Sequence, residues 1–227
     1  MSFKYIVPFP IFDRWLNGFA SAPASALCVP YESYVPFIRR LLEPVPVDED
    51  WYCAAYPGVG QSIARGVFRS AAHHFLAHGY FEGRLPFAAD RADLRQPIPF
   101  AELRALTPVR PARDGLRVEM EREALMAIVR RLLLAVPVDE AWYRRTYPGV
   151  DRAIARGGFA SAAAHYAEFG YAECRWPFDM VVDEAWYRAR YPDVPPLIAD
   201  GTVADAQGHF WRFGYREGRF PAGEPAL

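Results

Sequence analysis

Lysine is almost missing from this chain of 227 residues: of its 26 basic residues one, Lys4, is lysine and the others are arginine. That bias reads first as genomic base composition. Arginine is the better fork for carboxylate and phosphate, but its abundance alone locates no site. Charge of one sign is not in excess either, the formal net charge being −1 and the isoelectric point about 6.5. A general nucleic-acid binder needs a basic surface to displace counterions, so nucleic acid is not an expected partner.

Cysteine is scarce too. Cys28, Cys53 and Cys174 are odd in number, far apart and at unrelated positions, which fits neither a disulfide framework nor a Cys-x-x-Cys knuckle. A reducing compartment is the expectation. No run of roughly 18 apolar residues is present to cross a bilayer. The stretch FKYIVPFPIF is apolar and SAPASALC faintly resembles a cleavage region. Asp13, Arg14 and the prolines interrupt the apolar stretch, and Leu27 is a poor residue before a lipidated Cys28. A cytoplasmic location is therefore expected, with inner-membrane association through a partner and membrane contact no more than peripheral. Phosphate loops, Gly-x-Gly-x-x-Gly, Gly-x-Ser-x-Gly, His-Glu-x-x-His and calcium loops are all missing. The expectation is a non-enzyme without cofactor or metal.

Hydrophobic residues, by contrast, make up 52% of the chain, enough for a proper core. Three copies of one sentence carry much of them. Residues 47–86, 138–177 and 182–221 align without a gap: Val47 to Val138 and His74 to His165 are both 91 apart, Val138 to Val182 and His165 to His209 both 44. Within each copy Asp48, Asp139 or Asp183 stands at an N-cap, with a valine before it and a tyrosine four residues after it, the spacing of a hydrophobic staple. The glutamate after each cap favours the positive end of its own helix. A short aromatic helix follows, bent at Pro57, Pro148 or Pro192. A second helical turn ends at Gly66, Gly157 or Gly201, expected left-handed caps. A third helix opens at Ser70, Ser161 or Asp205 and closes at Gly79, Gly170 or Gly214.

Residues 31–87 read as a leading helix plus the first repeat, and 120–178 as a second leading helix plus the second repeat. Residues 179–227 hold the third repeat and a short tail. An irregular aromatic and Pro-rich arm, 1–30, precedes them, and 88–119 reads as a surface linker. No segment alternates convincingly, so the predicted fold is all-α: a compact helical array of three short-helix repeats, or a pseudo-symmetric helical globule.

Alignment also weighs the candidate residues. His73, His74 and His78 have the helical spacing of zinc ligands, but His78 corresponds to Phe169 and Phe213, and His73 to Ala164 and Gly208. His74, His165 and His209 recur, which predicts a structural hydrogen bond made three times. Arg84, Arg175 and Arg219 recur with Glu82, Glu173 and Glu217; they read as clamps on the capping aspartate, the repeat's own glutamate or helix-end carbonyls. Trp51, Trp142 and Trp186 read as core. Trp176 and Trp211 are private to their copies and are candidate contacts for a partner or glycan. The pairs Arg39-Arg40 and Arg130-Arg131 precede Leu-Leu on amphipathic helices, as a solvated face or a contact for an anionic surface or acidic protein.

The phrase from Asp-Glu-x-Trp-Tyr through Tyr-Pro-(Gly/Asp)-Val to the closing Gly-Tyr-x-Glu-Gly-Arg-x-Pro resembles a short repeat of bacterial polysaccharide-biosynthesis and glycosyltransferase-associated proteins. Tyr191, Pro192, Asp193, Val194, His209, Gly214, Glu217, Gly218, Arg219 and Pro221 carry the closest match. The resemblance implies an accessory, non-catalytic place in exopolysaccharide synthesis or secretion. There the chain would scaffold a protein partner or another copy of itself, or bind polysaccharide through exposed Trp and Arg.

Overall fold

A computed structural model describes residues 5–20 and 26–223. The outermost residues of the arm, its segment 21–25 and the last four residues of the tail lie outside that description. The fold is not all-α. About half of the chain is helical, and a three-stranded antiparallel sheet makes it a mixed α/β fold.

The arm supplies a helix, α1 (Phe9–Asn17), and the first strand, β1 (Ala26–Pro30), before the leading helix α2 (Tyr31–Leu42). Residues read as linker hold α6 (Phe100–Leu106), β2 (Val109–Ala112) and part of β3 (Gly115–Glu121), which runs into the second leading helix α7 (Arg122–Leu133). Strand β3 lies between the other two, pairing Val29 with Val118 on one side and Val109 with Val118 on the other. Its alternation is plain once paired: Val118 and Met120 turn inward while Glu119 and Glu121 face water. Prolines at Pro30 and Pro111 sit on the two outer strands, where a missing N–H leaves the centre of the sheet intact.

Each repeat is three short helices. The first comprises α3 (Glu49–Ala55), α4 (Pro57–Ala64) and α5 (Ala71–His74); the second α8 (Glu140–Thr146), α9 (Pro148–Ala155) and α10 (Ala162–His165). The third comprises α11 (Glu184–Arg190), α12 (Val194–Ala199) and α13 (Ala206–His209). In every copy the last helix widens into a π turn, over Phe75–Gly79, Tyr166–Gly170 and Phe210–Gly214. Gly66, Gly157 and Gly201 do take left-handed φ, at 75°, 76° and 79°. Gly79, Gly170 and Gly214 do not, and the chain reverses instead four residues later at Gly83, Cys174 and Gly218.

One continuous core joins these parts. The arm is its hub rather than an irregular appendage. Phe12 of α1 stacks on Phe37 of α2 at 4.5 Å, Phe9 meets Tyr171 of the second repeat at 5.8 Å, and Tyr5 meets Phe220 of the third at 4.6 Å. Burial is complete at Tyr166, whose hydroxyl has no hydrogen-bond partner among the described residues. The equivalent residues are Phe75 and Phe210. Tyr166→Phe therefore removes an unsatisfied polar atom without opening a cavity, and should raise stability by about 1 kcal/mol in urea unfolding.

Among the described residues no helix is long and apolar enough to cross a membrane.

Candidate functional site

A repeated polar framework surrounds each unit's tyrosines. Asp48, Asp139 and Asp183 cap their helices, accepting from the N–H groups of Trp51, Trp142 and Trp186 at 3.0, 2.8 and 3.0 Å. The neighbouring glutamate has a different task from the one its position suggests. Glu49, Glu140 and Glu184 reach across the unit and accept from Ala71, Ala162 and Ala206 at 2.7, 2.9 and 3.0 Å, satisfying the start of the third helix.

The recurrent histidines bond to the first tyrosine of each unit: Tyr52 to His74, Tyr143 to His165 and Tyr187 to His209, each hydroxyl 3.1 Å from Nδ1. All six residues are buried. The second tyrosine hydroxyl accepts from the chain's return, as Tyr56 does from the Leu85 N–H at 3.0 Å. Over that second ring lies the recurrent arginine, with Arg84, Arg175 and Arg219 at 4.8, 4.7 and 4.8 Å from the centroids of Tyr56, Tyr147 and Tyr191. Each Nε donates to the repeat's own glutamate, at 2.7 Å in the first copy, 2.5 Å in the second and 2.6 Å in the third. The glutamate and an aromatic face take all three of these arginines, and Arg219 alone adds a second carboxylate, that of Asp193.

The tryptophans divide. Trp51, Trp142 and Trp186 are half-buried, the core positions going to the tyrosines beside them. Trp176 is 3% exposed and so is a wall residue instead of a surface contact, whereas Trp211 is 44% exposed. The two rings meet edge to face with centroids 4.2 Å apart, and Trp142 closes on Trp211 at 5.9 Å. Their equivalents are Leu85 and Phe220 for Trp176, and Leu76 and Ala167 for Trp211. This aromatic corner borders a cleft of about 310 Å³ between the second and third repeats, which Arg175, Arg216, Glu173 and Tyr147 also line.

Arg216 was not singled out by its sequence. Its signal is the same privacy that marks the tryptophans, because Phe81 and Ala172 occupy its place elsewhere. Cys174 also lines the cleft, and burial pushes its thiol up despite the opposing charge of Arg216. A protonated thiol is a poor nucleophile. The corner offers instead a stacking face and two guanidinium groups beside a carboxylate, a donor and acceptor set suited to ring hydroxyls and acidic substituents.

The four helix arginines lie away from this cleft and have internal partners. Arg39 donates to the Ala77 carbonyl at 2.8 Å and lies over Phe81, while Arg40 pairs with Glu43 at 2.8 Å. Arg130 pairs with Glu123 at 3.0 Å and Arg131 with Glu102 at 2.7 Å. Among the described residues no group of three or more His, Cys, Asp or Glu is placed to hold a metal ion.

No family model, no curated protein and no solved structure matches the chain.

Proposed function

We propose that this chain is a non-catalytic, glycan-binding accessory protein of a bacterial polysaccharide synthesis or secretion system. The pathway rests on the resemblance of the repeat. The binding rests on one observation: Trp211 stands half in solvent against the buried Trp176, with Arg175 and Arg216 lining the same cleft. An indole face covers the apolar side of a sugar ring, and guanidinium groups take its hydroxyls and carboxylates.

Trp211→Ala tests this cleanly, because the second copy already carries Ala167 at that position. The variant should stay folded, with some loss of melting temperature because Trp211 covers Trp176, and lose glycan affinity by about 30-fold, the effect of removing an aromatic hot spot of about 2 kcal/mol. Tryptophan fluorescence titrated with neutral and acidic oligosaccharides reads both proteins. An unchanged wild-type spectrum, or equal affinities of wild type and variant, would overturn the reading.

A protein-scaffold reading has one observation in its favour. Leu106 and Leu116 are exposed by 46% and 52% on the segment between the first two repeats. Sedimentation of the chain with and without Leu106→Ser/Leu116→Ser tests self-association through these two residues; a monomer in both counts against it.

A further inference from the structure

Gly58, Gly149 and Asp193 occupy one position in the aligned repeats. In the third repeat the Asp193 carboxylate is gripped by both terminal nitrogens of Arg219, at 2.9 and 2.7 Å, while Arg219 Nε holds Glu217 and the guanidinium lies over Tyr191. The first repeat keeps every part of this arrangement except the carboxylate. Arg84 Nε holds Glu82, its guanidinium lies over Tyr56, and its two terminal nitrogens have no partner among the described residues. The Arg84 side chain is accordingly 31% exposed, against 18% for Arg219. A Cβ built on Gly58 would have nothing within 4 Å. This open space belongs to a pocket of about 460 Å³ lined by Tyr56, Gly58, Val59, Ser62, His74 and Arg84.

We propose that the first repeat is a socket for a carboxylate supplied from outside, and that the ligand is an acidic sugar. Asp193 is the fold's own demonstration that this guanidinium, oriented by its glutamate and its tyrosine, takes a carboxylate through two parallel hydrogen bonds. A carboxylate fills one corner of such a volume. The remainder is bordered by Ser62, His74 and the apolar Val59, a mixture of polar and apolar lining that suits a hydroxylated ring better than the extended stem of an acidic side chain. The socket shares no residue with the Trp176–Trp211 cleft, and its existence does not depend on that cleft binding glycan.

The test uses the full chain, isotopically labelled, with the arginine Nε–Hε signals followed by NMR at constant ionic strength. Sodium glucuronate should move the Arg84 signal saturably, whereas glucose and sodium chloride should not, and acetate should bind at least tenfold more weakly. Gly58→Asp supplies the carboxylate in place and should weaken the glucuronate response at Arg84 at least tenfold. Asp193→Gly should give Arg219 a glucuronate response that it lacks in the parent. This second variant carries the test even where Gly58→Asp fails to fold. No saturable movement of Arg84, a full response in folded Gly58→Asp, or an unresponsive Arg219 in folded Asp193→Gly overturns the socket. Equal affinity for acetate, or tighter binding of an acidic peptide than of glucuronate, overturns the sugar assignment. Failure of the cleft is read separately at Trp211.

Discussion

Gly79→Ala, and equally Gly170→Ala or Gly214→Ala, should destabilise the protein by about 3 kcal/mol or more, the upper range for overpacking a core combined with loss of a buried hydrogen bond. A Cβ at these positions would lie 2.0, 2.2 and 2.1 Å from the hydroxyls of Tyr52, Tyr143 and Tyr187. None of the three rings has anywhere to retreat, since all are fully buried and each is bonded to a buried histidine. Conformational freedom is not the reason for glycine there, because none of these residues has positive φ. Gly66 supplies the contrast: its φ is +75° and nothing lies within 4 Å of a built Cβ, so Gly66→Ala should cost only about 1 kcal/mol through backbone strain. Removing the offending oxygen should rescue the larger defect. In Gly79→Ala/Tyr52→Phe the nearest remaining atoms stand at 3.3 Å, and a double-mutant cycle in urea should show favourable coupling of about 1 kcal/mol or more. Additive losses would mean that the tyrosine hydroxyl does not set this position.

Local grammar was legible in the sequence, and contacts across a unit were not. The aspartate caps could be read because donor and acceptor lie three residues apart, as Asp48 and Trp51 do. Alignment of the copies identified His74, His165 and His209 as structural but could not name a hydroxyl 22 residues away. Glu49 was misplaced for the same reason: its carboxylate leaves its own helix for the N-terminus of α5. The sheet escaped because β1 finds its partner β3 some ninety residues along, Val29 opposite Val118, and because prolines and charges disguised its alternation. Leu116, Val118 and Met120 alternating with Arg117, Glu119 and Glu121 were nevertheless a period of two. Privacy within the alignment picked out Trp176 and Trp211 alike. Which of them faces water is decided by the neighbouring repeat, since Trp176 is covered by Phe210, Trp211 and Tyr215 of the third unit.

The three tyrosine–histidine pairs should make the fold acid-sensitive in a window that opens at higher pH than that of its hydrogen-bonded carboxylates. Burial lowers the imidazole pKa of His74, His165 and His209 from 6.5; Arg84, Arg175 and Arg219 push the same way, and Glu82, Glu173 and Glu217 oppose them. A folded-state pKa below the unfolded value means that the unfolded chain binds more protons. The stabilisation is complete above pH 6.5 and is lost as pH falls from there toward the folded-state values. Between the two values each histidine contributes a slope of at most about 1.4 kcal/mol per pH unit, so about 4 is the ceiling for the three together. His73, also lowered by burial, adds to the same window. Glu43, raised from 4.5 by burial, opposes the loss because the folded chain holds its proton more tightly. Asp193 and Glu102, lowered by hydrogen bonds from Arg219 and Arg131, lose their stabilisation at lower pH still. Urea midpoints at constant m-value between pH 8 and pH 5 measure the proton uptake directly. His165→Gln should shift the whole curve and remove one histidine's share of its slope. An unchanged slope would show that the His165 imidazole titrates alike in the folded and unfolded chain, and its burial would then carry no share of the acid sensitivity.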